Sequence, residues 1–244
     1  MYDWKLESLR LTTFLENEVR PKVLEELLTK IAGAEPTVQK GPVSFRGFAD
    51  VGELQIQLVW QPGRIDWFVT GVKIDASTSI GGIEEIGRLT DKYFSPFLTS
   101  PECPNTTRLA FGVSLFQPAA DVAAANKFLG TLLKLLKIPE NSGDLLYRVN
   151  RPKNSDATGL LINRLGTWSV VTRQTYSMHM PSPISKVAVS PQPSGDAMLT
   201  CRLELDINTE PKAGLVLNHT PLEKVFQDLR ARAIDLIHNG DLGE

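Results

Sequence analysis

Two stretches of the chain carry side chains suited to gripping a carboxylate or a phosphate. Tyr147-Arg148-Val149-Asn150-Arg151-Pro152-Lys153-Asn154-Ser155 is followed shortly by Leu161-Ile162-Asn163-Arg164-Leu165. Arginine offers a planar fork of donors that matches a pair of anionic oxygens, and asparagine carries a donor and an acceptor on one amide. Asparagine is depleted in strands and arginine is no strong strand former, so two Asn-Arg pairs on extended segments point to polar recognition. Residues 144–175 hold five Lys or Arg against two Asp, which makes the stretch locally basic. Arg148, Asn150, Arg151, Asn163 and Arg164 are therefore the candidate binding residues, for a protein partner or an anionic ligand. The competing explanation is structural: the arginines pair with acids elsewhere and the asparagines support turns.

Other chemistry-bearing patterns lead to no catalyst. The sequence has no Gly-x-Ser-x-Gly elbow, no His-Glu-x-x-His, no P-loop and no Gly-x-Gly-x-x-Gly. Gly81-Gly82 precedes a helix and could present N–H groups to an anion, but such a pair is ordinarily a turn. Met178-His179-Met180 suggests soft-metal ligation, yet a single triplet lacks the further ligands Cu(I) requires. His219 precedes a helix, and His238 sits in a last helical turn where a cation suits the dipole. Glu25-Glu26 and Glu84-Glu85 fall on polar helix faces. Arg64 and Asp66 share one strand face and account for each other as a surface ion pair. The expectation is no catalytic residue, no metal and no cofactor.

The elements that must position the candidates are legible from periodicity. Leu54, Ile56, Leu58 and Trp60 alternate with Gln55, Gln57 and Val59, the period-two signature of a half-buried strand. Gln61-Pro62-Gly63-Arg64 turns the chain back into Ile65, Trp67 and Val69. Later, Leu199, Cys201, Leu203, Leu205 and Ile207 alternate with Thr200, Arg202, Glu204 and Asp206, and Ser194-Gly195-Asp196 suggests a turn from a strand holding Val187 and Val189. Residues 160–175 read as extended. Helices are expected at 21–31, with Val23, Leu24, Leu27, Leu28 and Ile31 on one stripe, and at 118–136. A final helix opens with Thr220 and Glu223 as a capping box, buries Leu222, Val225, Phe226, Leu229, Ala233, Leu236 and Ile237, and ends at Gly240.

The same phrase occurs twice, since strand 9–14 precedes helix 21–31 and strand 108–113 precedes helix 118–136. The fold expected is α+β: two similar β-α-β-β-β-α halves, 1–103 and 104–244, forming antiparallel sheet covered on one face by helices. The join falls in the proline-rich stretch 99–107, and the halves are compatible with one continuous domain.

Composition bounds the partners. The 244 residues are 42% apolar and 22% charged with a net charge of -2, so nothing draws the whole chain toward nucleic acid or anionic lipid. A base-stacking platform needs exposed rings on a basic sheet; only Trp168 lies near the basic stretch, and Trp4, Trp60 and Trp67 read as core or rim. Cys103 and Cys201 are expected to be free thiols. No leader-like start or membrane-length apolar run is visible, so a cytoplasmic location is expected.

With Asn150-Arg151-Pro152, Asn163-Arg164-Leu165 and Asp206-Ile207-Asn208-Thr209 in view, the layout resembles a loose group of uncharacterised bacterial proteins of two similar α+β halves, with an Arg/Asn-containing strand in the second. The resemblance covers the whole chain on short strings. It implies a fold arrangement and a bacterial or phage source, and it transfers no activity and no site residues. The leading functional expectation is a non-enzymatic binding protein, an adaptor, inhibitor or complex subunit with another protein as partner; a homodimer is compatible with it. An enzyme or sensor with an anion pocket between the halves ranks second, and nucleic-acid binding third.

Overall fold

Alternation decides the architecture. In the computed structural model, which describes residues 2–17, 19–73, 75, 77–177, 192–193, 196–212, 214–217 and 219–242, one parity of residues along each central strand is buried against helices. The elements run β1 (Lys5–Leu15), α1 (Pro21–Ala32), β2 (Thr37–Gly41), β3 (Ser44–Val51), β4 (Leu54–Gln61), β5 (Arg64–Gly71), α2 (Glu85–Tyr93) and the single turn α3 (Ser95–Leu98). Then follow β6 (Thr106–Pro118), α4 (Val122–Leu132), β7 (Leu146–Asn150), β8 (Lys153–Asn154), β9 (Leu161–Arg173), β10 (Tyr176–Ser177), β11 (Gln192–Pro193), β12 (Met198–Thr209) and α5 (His219–Asn239).

A ten-stranded sheet runs in the order β2-β3-β4-β5-β1-β6-β12-β9-β7, with β8 also on β9, and its pairings are antiparallel. β1 and β6 meet at its centre, Leu9 opposite Val113 and Leu11 opposite Phe111. The chain is thus a mixed α+β protein around one large antiparallel sheet. Leu9, Leu11, Ile56, Leu58, Trp67, Val69, Phe111, Leu203 and Trp168 are all buried and join Leu24, Leu28, Leu89, Leu129, Phe226 and Leu229 of the helices in one core. Phe94, Phe111 and Phe226 stand edge to face with ring centroids 5.4 to 6.5 Å apart, so three elements distant in sequence lock at one point.

The helix ends follow local chemistry. Pro21 opens α1, and Gly33, at φ 68°, closes it with its N–H on the Thr29 carbonyl. Asp121 caps α4 by accepting from the Ala124 N–H at 2.7 Å. The helix expected at 118–136 is shorter at both ends. The Ala119 N–H is claimed by the Leu199 carbonyl, which keeps 118–119 extended, and the Leu132 carbonyl is claimed by Asp241 from beyond α5. Four strands rather than three follow α1, because residues 37–41 pair with β3 as an added edge. Helix α5 begins at His219, the Thr220 side chain of the expected capping box lies outside the described side chains, and Glu223 accepts from the Ser95 hydroxyl and the Gln227 amide. The expected strand at Val187 and Val189, the Met178-His179-Met180 triplet and the turn at 194–195 lie outside the described residues.

Gly240 is needed twice over. It sits at φ 70°, and a Cβ there would come 2.1 Å from the Leu132 carbonyl oxygen. Gly240→Ala is expected to destabilise the fold by about 2–3 kcal/mol through strain and clash. That corresponds to a fall in Tm of roughly 5–10 °C for a chain of this size, measured by calorimetry.

Candidate functional site

The residues of the other parity face away from the helices, and among the described residues no helix covers them. Successive rows cross the sheet. One runs Thr70, Ser8, Ser114, Glu204, Thr167, Arg148; the next runs Phe68, Arg10, Gly112, Asp206, Leu165, Asn150; a third runs Asp66, Thr12, Ala110, Asn208, Asn163. The sheet coils about this face. Side chains from Phe68 on β5 to Leu146 and Arg148 on β7, six neighbouring strands, line a single groove of about 430 Å³. Its floor is low because Gly112 has no side chain, and the Arg10 side chain lies across it, 3.2 Å from where a Cβ would stand.

Polar groups on this face are mutually engaged. Asn150 donates its amide to the Asn163 carbonyl oxygen at 3.0 Å, Asn163 donates to Asn208 at 3.1 Å, and Asn208 donates to Asp206 at 3.2 Å. Asp206 pairs with Arg10 at 3.4 Å, so a continuous ladder runs from β7 to β1. Arg108 donates to the same Asn208 oxygen at 2.8 Å and stacks over Phe14 at 4.8 Å. Asp66 is bound by Arg64 at 2.7 Å and by the Thr12 hydroxyl at 2.5 Å. That pair forms as the sequence suggested, but it is not a surface pair: the Asp66 side chain is buried. Toward the other end, Glu7 takes both Arg173 at 2.9 Å and Arg202 at 3.2 Å, and Arg173 covers the Phe116 ring at 3.8 Å. Burial lowers the pKa of Arg173, with the Glu7 charge opposing that shift.

The five candidate residues divide between the two faces. Arg148 lies on the groove wall, and Asn150 and Asn163 belong to the amide ladder beside it. Arg151 and Arg164 point the other way. Arg164 shares its parity with buried Ile162 and Trp168 and reaches Asp235 of α5 at 3.5 Å. Arg151 forms a two-pronged pair with Asp241 at 3.1 and 3.0 Å, and Tyr147 donates its hydroxyl to the same carboxylate at 2.6 Å. This cluster fastens the end of the described chain to β7. The hydrogen bond to Asp241 raises the Tyr147 pKa and likewise that of Arg151.

Sequence reasoning missed the groove's other charged residues, Arg10, Glu204 and Asp206. Their signal was present as polar alternates on strands, but nothing local marks which wet faces curve around a cavity. Of the charged residues lining the groove, Arg10 and Asp206 neutralise each other and Glu204 pairs with Arg202 at 3.0 Å. Arg148 has no ion-pair partner among the described residues.

No metal-binding group of three or more His, Cys, Asp or Glu occurs among the described residues. The thiols of Cys103 and Cys201 are buried and free, and burial pushes each up to about 12, which disables them as nucleophiles. A Cβ on Gly82 would meet the Glu84 carboxylate, so an acid already occupies the approach to that glycine pair. Trp168 is fully buried and cannot stack on a base. No helix of the described residues is long and apolar enough to cross a membrane. Comparison of the chain with protein-family models, curated proteins and solved structures gave no match.

Removing Arg148 should leave stability within about 0.5 kcal/mol, as for an ordinary surface change. Arg151→Ala removes a two-pronged donor from the buried Asp241 carboxylate and should lower the midpoint of urea unfolding. Tyr147 holds its proton more tightly folded than unfolded. Its contribution is therefore complete below about pH 10 and declines as pH rises further. The stability difference between wild type and Tyr147→Phe should shrink above that pH; a constant difference would refute the Tyr147–Asp241 bond.

Proposed function

We propose that the chain is a non-enzymatic binding protein, an adaptor, inhibitor or subunit of a bacterial complex, and that it engages a partner protein through the concave face of its sheet. The observation that carries this reading is the groove, a polar, coiled surface that draws residues from both halves of the chain. Its charges are close to balanced, which suits a protein surface better than a polyanion, and nucleic acid would need a field this face does not supply.

The same reading treats the chain as a duplicated β-α-β-β-β-α unit acting in the cytoplasm. Supporting it, β1 and β6 each precede a helix, and the strand order runs outward from them as β5-β4-β3-β2 on one side and β12-β9-β7 on the other. On this reading the groove draws on both units, and a homodimer through the sheet edges is open to test.

A second reading is favoured by one observation: about 430 Å³ is within the range of small-molecule sites. An anionic metabolite held by Arg148 would then be the ligand, with the protein an enzyme or sensor.

The groove is tested with Ser114→Trp, which fills its floor from β6. Tagged wild-type protein should retain one stoichiometric partner from its native cells, and the variant should lose it with Tm unchanged. Equal retention by both proteins removes the groove from the reading. An empty pull-down together with a rise in Tm on adding small carboxylates or phosphate esters would establish the second reading instead.

A further inference from the structure

Among the described residues, β7 ends the ten-stranded sheet and carries the one charged groove residue without an ion-pair partner. In an antiparallel pair, alternate residues turn their N–H and C=O toward the neighbouring strand, and the residues between turn theirs away. Leu145 and Arg151 bond to β9, through the Val170 N–H at 3.0 Å and to the Arg164 carbonyl at 3.2 Å. Tyr147 and Val149 share that parity and face Trp168 and Gly166. The backbone groups of Leu146, Arg148 and Asn150 therefore point outward, and among the described residues no strand lies beyond them.

The side chains of the same three residues stand on the open face. Leu146 is 67% exposed, beside the groove that it lines with Arg148. Asn150 is already engaged with Asn163. The edge thus presents a row of backbone donors and acceptors, one exposed apolar side chain, and two residues later one cation with no ion-pair partner among the described residues. The other edge strand, β2, lacks this combination: its Lys40 is bound to Glu25 at 2.6 Å, and it does not line the groove.

Building on the partner-protein reading, we propose that β7 accepts an extended segment of the partner as an added strand. The segment sets an apolar residue against Leu146 and an Asp or Glu, two positions away, against Arg148. Side chains two apart on a strand share a face, and directly opposed pairs bring Cβ atoms about 4.5–5.5 Å apart, so one pair is apolar and the other ionic. Backbone pairing supplies affinity and the two side-chain pairs supply selectivity, as in other strand-addition complexes. The ordinary explanation of a charge on an edge strand is protection against aggregation, which requires no acidic preference in anything that binds.

The test is selection of random dodecapeptides displayed on phage against the full chain and against Arg148→Glu, with both proteins checked for equal Tm. Wild type should enrich peptides with an apolar residue and an acid two positions apart, and Arg148→Glu should enrich a base at the acidic position. At 0.5 M salt the chosen peptides should bind wild type at least several-fold more weakly. Peptides that bind both proteins with no charge preference, and that Ser114→Trp excludes, would overturn this inference while sustaining the groove. Selection of no peptide by wild type would overturn it as well. A Tm rise with free glutarate in that case would assign Arg148 to a small anion and remove the partner-protein reading too.

Discussion

The pairing of β1 with β6 is the constraint on which everything else rests. Seven residues of β1, from Ser8 to Phe14, pair with β5 on one side and β6 on the other, and Leu9 and Leu11 of β1 share a buried layer with Phe111 and Val113 of β6. Without that seam each half would expose a long apolar edge, and the aromatic contact of Phe94, Phe111 and Phe226 would have no floor. The seam also fixes register. A slip by one residue would exchange Leu9 and Leu11 for Arg10 and Thr12 against the helices, an exchange no core tolerates.

Because the helices bury one face, the polar residues of the opposite face must satisfy one another. They do so laterally rather than in isolated pairs. The amide ladder of Asn150, Asn163 and Asn208 ends on the Asp206–Arg10 pair, and Arg64, Thr12 and Asp66 form a second such group nearer β5. Networks of this kind specify a single arrangement, since one broken member leaves its neighbours unpaired in a region of reduced water contact. Arg148 stands at the rim of that system with no ion-pair partner drawn from it.

Much of the scaffold could be read in advance, and particular residues show why. The β4–β5 hairpin followed from clean alternation and from Pro62-Gly63 in the turn, and Gln61 does lie opposite Arg64. The buried stripe of α5 follows from 3.6-residue spacing, with Leu222, Phe226 and Leu229 buried as that spacing requires. The division of the Arg/Asn cluster was not legible. Arg151 and Arg164 are held by Asp241 and Asp235, partners that are remote in sequence, and no local pattern announces such pairs. Parity did contain a clue, since Arg164 alternates with Ile162 and Trp168. The curvature that turns a polar face into a groove belongs to the assembled sheet and has no sequence signature of its own.

The arginines of the open face carry one more consequence. Arg10, Arg64, Arg108, Arg173 and Arg202 are each already held by a carboxylate, an amide oxygen or an aromatic ring. Their rotational freedom is spent on folding rather than on association. A partner docking here would immobilise few additional side chains, so the entropic penalty of complex formation is small for so polar a surface. Arg148 apart, the arginines of this face are in that sense placed before a partner arrives.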